Sequence, residues 1–103
     1  MFLVTVRVAG RRAATAGECS GLRVETVAAD RTGAIDHVYA QPTRTGMDLV
    51  VFAVADAKES AEETVRTAVE AGLSRVSGLD AAVAHCAVAL FVPRVGAALW
   101  PDP

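Results

Sequence analysis

The segment from Met47 to Leu73 constrains the fold more strongly than any other part of the chain. The run from Met47 to Ala55 carries apolar side chains on both alternating faces, is rich in Val and lacks Gly and Pro. This pattern is typical of a strand that is buried on both sides. Asp56 follows, three residues before Glu59, which predicts an N-cap and a capping box for a helix over residues 57–71. The apolar stripe predicted for this helix consists of Ala57, Ala61, Val65, Ala68, Val69 and Gly72.

Length and composition indicate one globular domain. A chain of 103 residues is long enough for one hydrophobic core and too short for two. Hydrophobic residues make up 52% of the chain and charged residues 21%, which excludes a disordered protein. Aromatic residues amount to only 5%, so the core is expected to consist mainly of Val, Ala and Leu. We predict a single domain over residues 1–103, with residues 94–103 as a C-terminal tail.

The N-terminal half is predicted to contain strands rather than helices. Apolar residues alternate over residues 2–8, which predicts a half-buried first strand. Residues 11–21 are small, polar and interrupted by glycine, which predicts a loop with at most one helical turn. Alternation over residues 22–28 predicts a second strand, and residues 35–41 a third that follows a glycine turn. With residues 47–55 as the fourth and most central strand, strands two to four are expected to form an antiparallel meander.

The C-terminal part leaves two alternatives open. Residues 81–84 fit a short second helix, whereas Cys86–Val92 fits a strand that ends at Pro93. Whether residues 79–92 form a helix or a strand therefore stays open. Leu99 and Trp100 in the tail must dock on apolar surface, either on their own chain or on a partner.

The strand and helix of Asp48–Leu73 resemble the ferredoxin-like superfold and its dimeric variants. This resemblance implies an α+β domain in which a mainly antiparallel sheet of four or five strands carries one main helix on one face. Because no full helix is expected between Val8 and Leu22, the prediction covers the ferredoxin-like fold or a variant that lacks its first helix.

Charge and hydropathy argue against nucleic acids and membranes as partners. The net charge of −2 gives no electrostatic reason to expect nucleic-acid binding. Arg7, Arg11, Arg12 and Arg23 form a locally basic region, but no aromatic side chains are interleaved for base stacking. The longest apolar run, residues 81–92, is shorter than the roughly 20 residues that span a bilayer.

The cysteines and the N-terminus favour a cytoplasmic location. No basic residues precede the apolar residues 1–8, which is the reverse of a signal peptide. Cys19 and Cys86 alone do not form a disulfide framework. We therefore expect two free thiols, with Cys19 the more accessible because it is predicted to lie in a polar loop.

Short motifs give no support for a metal, a cofactor or a nucleophile. Gly17–Gly21 matches G-x-C-x-G, but a nucleophile elbow needs a strand before the turn and a helix after it. His37, His85 and Cys86 do not have the spacing of metal ligands, and adjacent strand residues point in different directions. The glycines form no phosphate-binding loop. No metal and no cofactor is predicted.

The best acid–base candidates are Asp36, His37 and Tyr39 on the third strand. His37 and Tyr39 are two residues apart, so they share a face of the sheet, as a shallow catalytic site would require. His and Tyr are also common on half-buried strands for cross-strand packing, and we favour this structural interpretation.

Two functions remain as hypotheses. The first is a small non-enzymatic assembly, regulatory or ligand-sensing module that acts as a homodimer. The second is a cofactor-independent dimeric ferredoxin-like enzyme, a monooxygenase or cyclase, acting on a hydrophobic metabolite. A cavity between sheet and helix would favour the enzyme, and close packing the module. The residues expected at the dimer interface are Val50, Phe52, Val54, Leu99 and Trp100.

Overall fold

The computed structural model describes residues 1–91, which form a four-stranded antiparallel sheet with two helices on one face. The elements in chain order are β1 (Phe2–Gly10), α1 (Ala16–Ala29), β2 (Ile35–Thr43), β3 (Gly46–Ala53), α2 (Lys58–Leu73) and β4 (Ala81–Leu90). The strands lie in the order β2-β3-β1-β4, and each neighbouring pair is antiparallel. The expected α+β class is therefore confirmed, but two helices cover the sheet instead of one. No helix among these residues is long and apolar enough to cross a membrane.

Helix α1 corrects the prediction of a loop over residues 11–21 and a strand over residues 22–28. In a strand, Leu22, Val24 and Thr26 would share one face. Leu22 and Thr26 are buried, however, while Val24 is 63% exposed. Burial instead follows the helical spacing of Cys19, Leu22 and Thr26. Because this segment is a helix, the predicted meander of strands two to four is wrong.

A capping box starts α1. The Thr15 hydroxyl accepts a hydrogen bond from the Glu18 amide at 3.1 Å, and the Glu18 carboxylate accepts one from the Thr15 amide at 2.9 Å. The guanidinium of Arg12 donates to both carboxylate oxygens of Glu18 at 2.8 Å and to the Gly78 carbonyl at 3.3 Å. One cluster therefore joins the end of β1, the start of α1 and the turn before β4.

The hairpin of β2 and β3 agrees with the predicted third and fourth strands. β3 lies between β2 and β1, and it shares the central position with β1. At the hairpin turn, a Cβ on Gly46 would collide with the Val8 carbonyl, so only glycine allows this close approach. The predicted glycine turn is also present: Gly33 has a φ of 71°, although it joins α1 to β2 and not two strands.

Helix α2 buries the predicted face. Ala61, Val65, Ala68, Val69 and Gly72 are all buried, as the apolar spacing indicated. The N-cap prediction is wrong, because the N-cap residue is Ala57 and its side chain makes no capping hydrogen bond. Ala57 itself is exposed and so does not belong to the buried stripe.

Strand β4 resolves the alternative left open for residues 79–92, apart from Val92, which lies outside the described residues. Residues 81–84 belong to the strand rather than to a short helix, because Ala81, Ala82 and Val83 pair with the free edge of β1. That edge offers a ladder of backbone hydrogen bonds, which an isolated turn of helix cannot match. The register shifts between Arg7 and Val8, so Ala84 is an extra residue in a β-bulge.

The core lies between the sheet and the two helices. Its largest fully buried side chains are Leu22, Met47, Leu49, Val4, Val6, Val8, Val51, Val65, Val69 and Thr26. The helices touch at Gly72, where an added Cβ would lie 3.1 Å from both Leu22 and Thr26. Ala61 and Ala68 are 0% and 3% exposed, which shows that α2 packs directly on the sheet and does not stand away from it.

Removing the hydroxyl of Thr15 should destabilise the fold, because the Glu18 amide would lose its hydrogen-bond acceptor. We expect Thr15→Ala to lower the free energy of unfolding by about 1 kcal/mol, measured by urea denaturation. Asp56→Ala is the matched control and should have little effect, since Ala57 is the N-cap residue of α2. A larger loss for Asp56→Ala than for Thr15→Ala would contradict this assignment of the caps.

The contribution of Glu18 to stability should depend on pH. Hydrogen bonds from Arg12 and from the Thr15 amide hold the pKa of Glu18 at about 2, below its ordinary 4.5. A lowered folded-state pKa gives stability that is present above about pH 4.5 and is lost as the pH falls through about 2. Glu18→Gln should therefore lower the melting temperature at pH 7, and the difference from the parent should shrink below pH 4.5. Glu63→Gln, at an exposed site on α2, is the control; an equal effect at both positions would contradict the role of Glu18.

Candidate functional site

The face of the sheet opposite the helices carries side chains from all four strands. Cross-strand pairing arranges them in three main rows. The rows are His37, Phe52, Leu3 and Ala89; Tyr39, Val50, Thr5 and Ala87; and Gln41, Asp48, Arg7 and His85. We call these twelve residues, together with Phe91, the open face. One end of it is apolar and aromatic, and the other end is polar.

Four rings form a continuous strip on the open face. The ring centroids are 6.0 Å apart for His37 and Tyr39, 6.2 Å for Tyr39 and Phe52, and 5.3 Å for Phe52 and Phe91. Each pair meets edge to face, at interplanar angles of 71–83°, which is a favourable geometry for aromatic rings. Tyr39 is 56% exposed, so this strip presents a substantial aromatic surface to solvent.

An ion pair between Arg7 and Asp48 lies at the polar end. The Arg7 Nε and Nη2 atoms donate to the two carboxylate oxygens of Asp48 at 3.0 and 3.2 Å. These hydrogen bonds raise the pKa of Arg7 above its already high ordinary value. Because the Arg7 side chain is 64% exposed, solvent screens the pair and its contribution to stability is small. The bidentate geometry nevertheless fixes the direction of the guanidinium.

A shallow concavity of about 550 Å³ connects the aromatic strip to this ion pair. Tyr39 and Val50 form its apolar part, while Arg7 and His85 line its polar part. Arg23 belongs to α1, yet it also lines the concavity, so its long side chain extends past the edge of β2. The remaining lining residues are Thr5, Val6, Ala40, Gln41, Asp48 and Leu49.

The three acid–base candidates lie together but are not joined by hydrogen bonds. His37 and Tyr39 share the open face, as their spacing indicated, whereas Asp36 is the extra residue of a bulge in β2. All three line a second shallow concavity of about 460 Å³ at the β2 edge, next to Val24 and Val27 of α1. Within residues 1–91, no hydrogen bond links their side chains. In the described part of the chain, these three side chains therefore form no preformed proton relay.

The residues expected at a dimer interface are partly placed by the structure. Val50 and Phe52 lie on the open face and are half-buried, and Val54 follows the end of β3 with 57% of its surface exposed. Leu99 and Trp100 lie outside the described residues. On the opposite face of β3, Leu49 is buried beneath the helices.

Sequence reasoning missed the polar end of this site. Arg7 and Asp48 were assigned to strands without being connected, because their contact depends on the pairing of β1 with β3. Asp48 does interrupt an otherwise apolar strand, and Arg7 follows an alternating one; these were the signals available. The sequence suggests no role for His85 beyond that of a metal ligand, which its spacing excludes. His85 points to the open face, opposite Arg7, while Cys86 packs toward the core beside Val6.

The cysteines occupy different positions from those expected. Cys19 lies within α1 and is buried, so G-x-C-x-G does not form a turn that exposes a nucleophile. Both cysteines are free, as predicted. Burial raises the pKa of each thiol, and Arg66 partly opposes this effect at Cys86.

The open face offers aromatic edges, a fixed guanidinium and a neighbouring imidazole around one concavity. Among residues 1–91, no group of three His, Cys, Asp or Glu side chains is arranged to hold a metal ion. The chain matches no protein-family model, no curated protein and no solved structure.

Thiol reactivity should follow burial, in the opposite order to the sequence-based expectation. Cys19 is 6% exposed, whereas Cys86 is only half-buried, so Cys86 should react faster with a disulfide reagent such as Ellman's. Both reactions should be slow near neutral pH because both thiol pKa values are raised. Comparison of Cys19→Ala with Cys86→Ala assigns the two phases. Faster labelling of Cys19 would contradict the position of α1.

Proposed function

We propose that this protein is a small non-enzymatic assembly, regulatory or ligand-sensing module that acts as a homodimer, with two copies packed face to face through the open face. The observation that carries the proposal is the one-sided sheet. Helices cover one face, whereas the other presents an aromatic strip in which Tyr39 is 56% exposed. Contiguous exposed apolar patches on soluble proteins commonly mark interaction surfaces.

The order of the elements supports a ferredoxin-like fold for this module. A β-α-β-β-α-β succession with the strand order β2-β3-β1-β4 is similar to the ferredoxin-like arrangement. In that arrangement both helices lie on one side, so the other side is available for a second layer. Two-layer packing is the usual way in which a sheet completes its core, and an isologous contact supplies the second layer from an identical chain.

The area of the open face is sufficient for such a contact. Strands of eight to ten residues are ~30 Å long, and four strands span ~19 Å. Two such faces therefore bury about 1,100 Å² before flanking residues are counted, compared with the roughly 1,000 Å² that a specific interface requires. The Arg7–Asp48 pair would add a polar rim to a central apolar region.

The edges of the sheet favour association through the face rather than through added strands. Both edge strands are irregular, since β2 has a bulge at Asp36 and β4 has one at Ala84. β2 also contains Pro42, which has no backbone N–H to donate to another strand. Bulges and proline are common features of edges that resist pairing.

The second candidate is a cofactor-independent dimeric ferredoxin-like enzyme, a monooxygenase or cyclase acting on a hydrophobic metabolite. One observation favours it: Asp36, His37 and Tyr39 line the same concavity at the β2 edge. That concavity is shallow, and the close packing of α2 leaves no wide gap between helix and sheet at Ala61 and Ala68. These features support the non-enzymatic module, for which we propose no nucleic-acid partner and no cofactor.

We also propose a cytoplasmic location for this module. Its support is limited to the two free thiols, Cys19 and Cys86. Reduced cysteines are the usual state in the cytoplasm, whereas small secreted domains commonly depend on disulfides.

A charge placed on the open face should dissociate the dimer. Light scattering of the parent protein at micromolar concentration should give twice the chain mass of 10.7 kDa. Val50→Asp should give the mass of one chain, because the dimer would bury an unpaired carboxylate in an apolar contact. The matched control is Val27→Asp, at a valine of α1 that is 48% exposed and does not belong to the open face.

Circular dichroism should show that both variants keep the parent fold. A parent mass of one chain would refute the dimer. Equal dissociation by Val50→Asp and Val27→Asp would place the interface elsewhere.

A further inference from the structure

We propose that the concavity on the open face binds a hydrophobic carboxylate, an organic anion whose planar apolar body lies on Tyr39 and Val50 and whose carboxylate faces Arg23 and Arg7. This inference rests on the proposed function, because it names the ligand class of a ligand-sensing module. It goes beyond that function in assigning a site, a ligand chemistry and a residue, Arg23, for which the sequence indicates only membership of a locally basic region.

The charge of the lining favours an anion. Arg7 and Arg23 contribute two guanidinium groups, whereas Asp48 is the single carboxylate that lines the concavity. Asp48 already accepts two hydrogen bonds from Arg7, so its charge is compensated locally. The lining therefore has a surplus of one positive charge on a chain whose net charge is −2, which gives the concavity a sign opposite to that of the whole protein.

The guanidinium groups retain hydrogen-bond donors for a ligand. A guanidinium has five N–H donors, and the contact between Arg7 and Asp48 uses only the Nε and one Nη2 donor. The remaining Nη groups of Arg7 are directed by the ion pair and do not need to be ordered when a ligand binds. Arg23 enters the concavity from α1 and supplies the second guanidinium, so β1 and α1 each contribute to the lining one group that can bind a carboxylate.

The apolar part fits a planar body. Tyr39 and Val50 are direct cross-strand neighbours, and Phe52 packs edge to face with Tyr39. Such a surface accepts an aromatic ring or a flat aliphatic one by stacking and dispersion. The concavity volume of about 550 Å³ lies within the range of roughly 300–1,000 Å³ typical of small-molecule sites.

A second copy would complete the site. Within residues 1–91 of one chain the concavity is open to solvent, and the proposed face-to-face contact would cover it with the open face of the partner. Removing water in this way strengthens the interaction between guanidinium and carboxylate. Ligand binding and dimer formation are then expected to support each other through linkage.

Two matched probes test the ligand class. Binding of 2-naphthoate and of neutral 2-naphthamide to the full chain should be measured by calorimetry and by amide chemical-shift changes. The two probes share a ring system and differ in charge. We expect naphthoate to bind at least tenfold more tightly than naphthamide, with the largest shifts at Tyr39, Val50 and Arg7.

Four variants test the residues. Arg23→Gln should weaken naphthoate about tenfold and change naphthamide less than twofold, because it removes a charge-assisted hydrogen bond. Tyr39→Ala should weaken both probes about threefold or more, because it removes the aromatic surface. Arg31→Gln is the control for loss of an exposed arginine, since Arg31 lines the groove between the helices; it should leave both affinities unchanged. Circular dichroism checks the fold, and Arg23→Lys should retain most of the preference for naphthoate.

Several results would overturn the inference. Equal affinity for the two probes would do so, as would the absence of detectable naphthoate binding up to about 1 mM. Equal effects of Arg23→Gln and Arg31→Gln on naphthoate affinity would do so as well. Light scattering on the same samples separates this failure from failure of the dimer. A dimer that does not bind naphthoate refutes the ligand class alone, whereas a monomer that binds it through Arg23 and Tyr39 refutes the dimer alone.

Discussion

The central position of β1 is the constraint on which the rest of the structure depends. β1 pairs antiparallel with β3 on one side and with β4 on the other, and β3 pairs antiparallel with β2. β1 and β2 therefore run in the same direction, as do β3 and β4, and each of these pairs is separated by one strand. Both connections must return along the length of the sheet, and α1 and α2 make these returns. Right-handed crossovers from adjacent central strands place both helices on one face, so neither helix of residues 1–91 lies on the other face.

The local sequence pattern predicts an element correctly where the buried residues follow the period of that element. Residues 2–8 alternate clearly, and α2 has apolar residues at helical spacing, so both elements were predicted correctly. The sequence does not predict α1, because Val24 and Val27 are apolar but exposed on the helix. With Val24 counted as buried, residues 22–28 show the two-residue period of a strand. The signal that identifies α1 was nevertheless present in Thr15 and Glu18, whose spacing is that of a capping box.

The candidate site shows which contacts local patterns cannot supply. That His37 and Tyr39 share a face follows from the two-residue period of a strand alone. The contact between Arg7 and Asp48 follows from register, and register depends on which strands are neighbours. The approach of Arg23 to the same concavity depends additionally on how α1 crosses the sheet. Tertiary arrangement, and not residue type, brings these groups together, so sequence reasoning named the aromatic half of the site and missed the charged half.

The pairing of β1 with β4, the first and last described strands, allows the same sheet to be formed by a chain with a different order of elements. The Phe91 amide donates a hydrogen bond to the Met1 carbonyl at 2.9 Å, so the two ends of the described chain lie side by side. A chain without residues 92–103, in which a short linker joined Phe91 to Met1 and new ends lay in the exposed turn between α1 and β2, would preserve every strand ladder of the described sheet. The three-dimensional arrangement is therefore compatible with a circularly permuted chain.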